Sequence, residues 1–290
     1  MTPLDPFRDG IWLKREDEHQ LGAFKWRGAL ATLEARKPEV VVTASTGNHG
    51  AATAWAARRA GTRAIVFVPE QASAAKVALI EAQGAELRRV GADMDDAKAA
   101  AKQLAEAEGW FFFEDGAEPA QFDGYAAIGD ELLDQLTEPP GSVVVPVGNG
   151  ALAIGVFRAI AARAPFTERV AVSAAGAPAM WESWRHGSPI DSESSATFAD
   201  GLAVRVAIPL AVAELNPLVQ RFERVTEREL ALAVGAYAET GIRVEGAAAA
   251  PLAVALREAL PRPVVLIVTG RNIDEDLWRR AVETPDSFAA

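Results

Sequence analysis

Cysteine is absent from all 290 residues, which at once excludes disulfide frameworks, thiolate metal sites and cysteine nucleophiles. The absence suits a reducing compartment. No apolar run reaches the roughly 20 residues that span a bilayer. Met1-Thr2-Pro3-Leu4-Asp5-Pro6 lacks the charged-then-apolar order of a signal peptide. The expectation is a soluble cytoplasmic protein with no membrane partner. Basic residues are outnumbered, 29 Lys and Arg against 40 Asp and Glu for a formal charge of -11. They stand singly or in pairs such as Arg58-Arg59 and Arg279-Arg280, so the basic stripe that a nucleic-acid binder uses to neutralise phosphates is missing. What the chain has in quantity is apolar residues, 50% of the total, enough to bury a substantial core without covalent staples.

Short β-branched runs alternate with Ala-rich stretches of helical period. The pattern predicts strands at Ile11–Lys14, Val40–Thr43, Ala64–Val68, Glu86–Val90, Phe111–Phe113, Val143–Val147, Val170–Ala174 and Val264–Val268. Helices are expected at Lys25–Ala35, Asn48–Ala60, Ala74–Gln83, Met94–Ala107, Ala126–Gln135, Ala151–Ala162, Thr226–Glu239, Gly246–Leu256 and Glu275–Val282. Strands regularly followed by helices predict an α/β protein of mostly parallel, twisted sheets with helices on both faces. The run from Ala44 to Tyr125 is self-contained, so residues 44–125 are expected as a small mobile lobe inserted in a larger one made of residues 1–43 and 126–290, with a cleft between them. His186–Thr197, rich in Ser, Gly and Pro, is expected to be a loop.

Three strand–helix junctions carry residues suited to chemistry. Lys25 opens a helix directly after Gly22-Ala23-Phe24 and before Trp26. A lysine whose charge is disfavoured by a helix N-terminus and an apolar surround can act as a nucleophile. Thr43-Ala44-Ser45-Thr46-Gly47-Asn48-His49-Gly50 offers hydroxyls and helix-start amides to an anion such as a carboxylate or phosphate. In Pro146-Val147-Gly148-Asn149-Gly150-Ala151-Leu152 small residues let the backbone approach a ligand, and successive amides can cradle a phosphate. That loop is no dinucleotide fingerprint, because Ala153 takes the place of the third glycine, and no Walker loop, because no Lys-Ser or Lys-Thr follows. Each junction taken alone has an ordinary alternative: a surface lysine, a helix cap, a turn that needs glycine.

Together and in this order, the segments resemble the threonine/serine dehydratase family of pyridoxal-phosphate enzymes, the fold type shared with serine racemase, threonine synthase and the tryptophan synthase β-chain. Lys14 to Ala29 is similar to the family's K-x-E-D-x-x-x-x-G-S-F-K-x-R-G-A signature, with Ala23 in place of Ser. The resemblance implies that Lys25, beside Phe24, carries the cofactor as a Schiff base. Ser45 to Gly50 resembles the S-x-G-N-H-G element, which implies substrate-carboxylate binding by Ser45, Thr46, Gly47, Asn48 and His49, and a bond from Asn48 to the cofactor's phenolic oxygen. Gly148, Asn149, Gly150, Ala151 and Leu152 occupy the place of the phosphate loop, in an order closer to that of threonine synthase. Asp200 to Arg205 is similar to the dehydratases' D-G-I-A-V-x segment. Val244-Glu245-Gly246-Ala247 is similar to V-E-x-A-G near the cofactor ring, and Thr269 falls where a hydroxyl meets the pyridine nitrogen.

A hydroxyl leaves that nitrogen largely unprotonated, and the resulting weak electron sink favours expulsion of a β-leaving group. The expected activity is therefore β-elimination from L-threonine, L-serine or a related β-hydroxy amino acid, with pyridoxal 5'-phosphate bound in the interlobe cleft. Thr46 holds the position that is serine in eukaryotic racemases, so racemisation stays open, as do a threonine-synthase-like replacement and a non-catalytic relative. Val172-Ser173-Ala174-Ala175 lacks the acidic residue of cation-binding members, and no metal is expected. The family suggests a homodimer.

Overall fold

The computed structural model describes residues 1–8 and 10–288. Contacts divide the chain into two compact units, Met1–Phe24 with Tyr125–Ala290, and Lys25–Gly124. Among the described residues the strands are β1 (Leu4–Arg8), β2 (Ile11–Arg15), β3 (Val40–Ala44), β4 (Arg63–Val68), β5 (Glu86–Arg89), β6 (Phe111–Phe112), β7 (Ser142–Pro146), β8 (Glu168–Ala174), β9 (Arg221–Val225) and β10 (Val264–Val268). The α-helices are α1 (Trp26–Arg36), α2 (Asn48–Ala60), α3 (Ala74–Glu81), α4 (Met94–Glu108), α5 (Pro119–Gln135), α6 (Ala151–Arg163), α7 (Ala179–His186), α8 (Pro209–Leu215), α9 (Glu227–Ala238), α10 (Gly246–Arg257) and α11 (Glu275–Glu283). None is long and apolar enough to cross a membrane.

The first unit is built on a six-stranded sheet of order β1-β2-β10-β7-β8-β9, parallel except for the β1–β2 pair. Every residue of β7 and β10 is buried, the signature of a parallel strand covered on both sides. Val144, Val170, Val172, Leu266 and Val268 point to one side, where they join Leu230 and Val234 of α9 and Ala250 and Val254 of α10 in one core cluster. The alternate residues Val143, Val145, Ala171 and Val265 are buried on the other side, where α6 packs. A fully buried Val or Leu of this kind contributes roughly 1.5–3 kcal/mol.

The second unit carries a four-stranded parallel sheet of order β5-β4-β3-β6. Val40, Val42, Ile65 and Phe67 pack on Ala97, Ala101 and Ala105 of α4, while Val66 and Val68 pack on Ala51 and Ala54 of α2 and on Val77 and Ile80 of α3. Helices thus cover both faces of this sheet as well. The sequence places residues 25–43 with the larger part. The structure puts them in the smaller unit, because β3 is an inner strand paired in register with β4.

Two strands and two helices escape the sequence pattern: β1, β9, α7 and α8. The expected loop His186–Thr197 loses His186 to the last turn of α7 and is otherwise without helix or strand. Helix α5 begins at Pro119 rather than Ala126.

Candidate active site

Within the second unit, Lys25 is the residue before the first turn of α1. Its Nζ donates a 2.6 Å hydrogen bond to Oδ2 of Asp115, and its side chain keeps 18% exposure. Asp115 stands in the turn beyond β6 and is held from the other side, where Gln121 Nε2 donates to Oδ1 at 2.6 Å. Gln121 is itself fixed, its Oε1 accepting from the Gly116 amide at 2.8 Å. Burial pushes the Asp115 carboxyl up. The charges of Lys25 and His49, with the hydrogen bonds from Lys25 and Gln121, outweigh it and hold the group well below the usual carboxylate range.

His49, in the first turn of α2, is buried. Its Nδ1 lies 3.6 Å from Asp115 Oδ1, and its Nε2 is 3.1 Å from Thr43 Oγ1 and 3.3 Å from the Phe113 carbonyl. Thr43 Oγ1 also donates to the Phe113 carbonyl at 2.8 Å. Burial drives the imidazole below its ordinary value; Asp115 opposes that shift and Lys25 adds to it. Ser45 Oγ accepts from the Gly47 amide at 3.1 Å and shapes the loop that enters α2. The N-cap of α2 is Gly47, which has no side chain to satisfy the helix-start amides, so that end suits an anion. The Thr46 side chain is half-buried.

Within the first unit, Gly148, Asn149 and Gly150 join β7 to α6, and their backbone amides donate to no other described residue. Asn149 Oδ1 accepts from the Ala151 amide at 3.1 Å, and Ala151 and Leu152 are buried in the first turn of α6. A Cβ on Gly148 would lie 2.2 Å from the Gly201 carbonyl oxygen, so the loop is seated against the Asp200–Leu202 turn in a way that only glycine permits. At the carboxyl end of β10, buried Thr269 donates from Oγ1 to Glu245 Oε1 at 3.3 Å. The Phe24 amide donates to the Thr269 carbonyl at 3.0 Å, and the Glu245 amide to the Gly270 carbonyl at 3.0 Å. The Phe24 ring packs on Tyr125 with centroids 5.0 Å apart. Gly22 has φ +67 and lies against the Asn272 side chain, where a Cβ would meet Oδ1 at 2.5 Å.

Lys25 and His49 are thus brought to one carboxylate in the second unit, and Phe24, Glu245 and Thr269 to one corner of the first. The family model described as pyridoxal-phosphate dependent enzyme matches residues 2–270. The chain belongs to that family. It is 35% identical over 272 residues to an L-threonine ammonia-lyase of Geobacter sulfurreducens, a match covering 91% of this chain and 67% of that protein. Among solved structures, the processed form of threonine deaminase isoform 2 from Solanum lycopersicum superposes with a TM-score of 0.92 at 27% identity, covering 97% of this chain and 87% of that one. Maize serine racemase gives 0.88 at 26% identity, over 99% and 93%.

The residues present fit the family's cofactor. Unpartnered amides at the head of α6 suit its phosphate, a buried hydroxyl on Thr269 suits a ring nitrogen, and a primary amine with residual exposure on Lys25 suits its aldehyde. Sequence reasoning missed Asp115 and Gln121. Their one available signal is position: an Asp-Gly turn just past the carboxyl end of a parallel strand, the end where such sheets bind ligands.

Proposed function

We propose that the chain is an ammonia-lyase converting L-threonine, L-serine or a related β-hydroxy amino acid to a 2-oxo acid and ammonia by β-elimination. The observation that carries this reading is the Lys25 amine, set at the head of α1 and 2.6 Å from a fixed carboxylate. The substrate class is supported by the likeness to the Geobacter L-threonine ammonia-lyase. When bound, pyridoxal phosphate supplies a conjugated ring that spreads the negative charge left on the substrate's α-carbon. The chain's own residues do the rest. Lys25 Nζ is the attachment point for the cofactor between turnovers and the base that takes the α-proton. Ser45, Thr46, Gly47 and Asn48 bind the substrate carboxylate at the head of α2, with His49 buried behind them. Asn48 would bond the cofactor's phenolic oxygen, the loop from Gly148 to Leu152 would hold its phosphate, Thr269 with Glu245 behind it would meet its ring nitrogen, and Phe24 would pack beside the ring. We further propose a cytoplasmic protein, assembled as a homodimer and acting on a small amino acid.

The test is ammonia and 2-oxo acid release from L-threonine and L-serine by the cofactor-loaded protein. Lys25→Ala is expected to lower turnover by about 10²–10⁴-fold or more. Full activity in that variant would end the proposal. A second reading, racemisation, is favoured by the half-buried Thr46 hydroxyl at the substrate end of α2 and by the likeness to maize serine racemase. It requires D-serine to accumulate from L-serine, which a pure lyase does not produce.

A further inference from the structure

We propose that Asp115 is a second catalytic residue: its carboxylate fixes Lys25 Nζ in place and supplies the counter-charge for the ammonium that Lys25 becomes when it takes the substrate's α-proton. This rests on the lyase reading for its chemistry, but the geometry behind it stands alone. An ordinary surface ion pair is a poor anchor, because two long side chains lose freedom for little gain. The Lys25–Asp115 contact differs in that both carboxylate oxygens are committed. Oδ2 accepts from Lys25 at 2.6 Å and Oδ1 accepts from Gln121 at 2.6 Å. Gln121 is fully buried and tied to the Gly116 amide, so the carboxylate cannot swing away to follow the lysine. The imidazole of His49, 3.6 Å from Oδ1, is locked behind it by Thr43, the Phe113 carbonyl and the edge of the Phe113 ring, with centroids 4.7 Å apart.

Besides Lys25, the carboxylate faces the His49 imidazole, whose charge burial disfavours, and the neighbouring Glu114 is occupied by Lys98 at 2.5 Å and Lys102 at 3.1 Å. Asp115 therefore has Lys25 as the cation it serves. The proton balance follows. The Cα–H bond breaks, its proton moves to the lone pair of Lys25 Nζ, and the electron pair stays on the substrate side. The new positive charge forms 2.6 Å from a carboxylate whose other oxygen is already engaged by Gln121. The same pairing restrains the amine in the cofactor-free protein, because the ammonium held in an ion pair has no lone pair to offer an aldehyde.

The experiment uses two readouts. In cofactor-free protein, Lys25 is modified with formaldehyde and cyanoborohydride, and the rate is read at that peptide by mass spectrometry. Asp115→Asn, which breaks the ion pair, is expected to raise the rate measurably, and Asp115→Glu to restore it towards the starting value. In loaded protein, Asp115→Asn is expected to lower kcat with little change in KM, and to enlarge the deuterium isotope effect at Cα. Gln121→Leu, which frees Oδ1 and keeps the carboxylate, supplies the same test in weaker form should the Asn variant fail to fold. An unchanged Lys25 modification rate in Asp115→Asn, or in Gln121→Leu where that variant stands in, overturns the proposal. If Lys25 takes up no cofactor at all, the lyase reading fails, while the formaldehyde measurement still decides what Asp115 does to the amine.

Discussion

His49 shows how one buried side chain ties chemistry to stability. Its ring is enclosed by Thr43, Phe113 and Asp115, and burial, the dominant influence, pulls its proton affinity down in spite of the nearby carboxylate. In the unfolded chain it regains an ordinary value of about 6.5. The sign is fixed by that order. Below about pH 6.5 the unfolded state binds a proton that the folded state refuses, so stability falls as pH falls through that value and levels off once the folded-state ring also titrates. Urea midpoints between pH 8 and pH 5 are expected to show this slope, at most about 1.4 kcal/mol per pH unit, and His49→Gln to lose it. Equal slopes in the two proteins would place His49 outside the linkage. At this scale the sequence was half legible. Lys25, Ser45 and His49 stood in recognisable local order, whereas Asp115 is 90 positions from Lys25 and lies in a Glu-Asp-Gly-Ala-Glu-Pro turn with no periodicity to mark it. Only the packing of β6 beside β3 brings the two together.

Element by element, the central strands of the six-stranded sheet were readable because they are buried on both faces and form unbroken apolar runs, as Val-Val-Val in β7 and Val-Val-Leu-Ile-Val in β10. Helix α2 was readable to the residue, since Gly61 closes it in the left-handed conformation at φ +69. The missed strands are the two edges of the six-stranded sheet. β1 contains Pro6, which an edge strand tolerates and a central one does not, and β9 is charged at three of its five positions, Arg-Phe-Glu-Arg-Val. Helices α7 and α8 are eight and seven residues long, too short for a periodic signal. The loop between β7 and α6 leaves no room for a side chain at its first glycine. Gly148→Ala would drive a methyl group into the Gly201 carbonyl, so either the loop or the Asp200–Leu202 turn must move. The expected cost is about 1–3 kcal/mol, with cofactor affinity falling more steeply than stability because the phosphate-facing amides move too. Calorimetry and cofactor titration on the same sample check it, and wild-type affinity in the variant would remove this loop from the cofactor site.

For the whole molecule, the family model matches residues 2–270, and the proposed site draws on features that lie far apart in sequence: a lysine near the start, a turn before α2, a glycine loop before α6, and a hydroxyl beside Glu245 at the end of β10. Most of that inventory could be read from the sequence because each part is a short motif at a strand–helix junction. The boundary between the two units could not, because strand pairing across the fold, not local pattern, assigns β3 to the smaller sheet. The proposed bond between Lys25 and the cofactor is covalent and is tested covalently. Protein saturated with pyridoxal phosphate, reduced with borohydride and digested, is expected to carry one cofactor-mass adduct on the peptide containing Lys25, and to carry none in Lys25→Ala. An adduct on any other lysine, or no adduct on the native chain, would contradict the account.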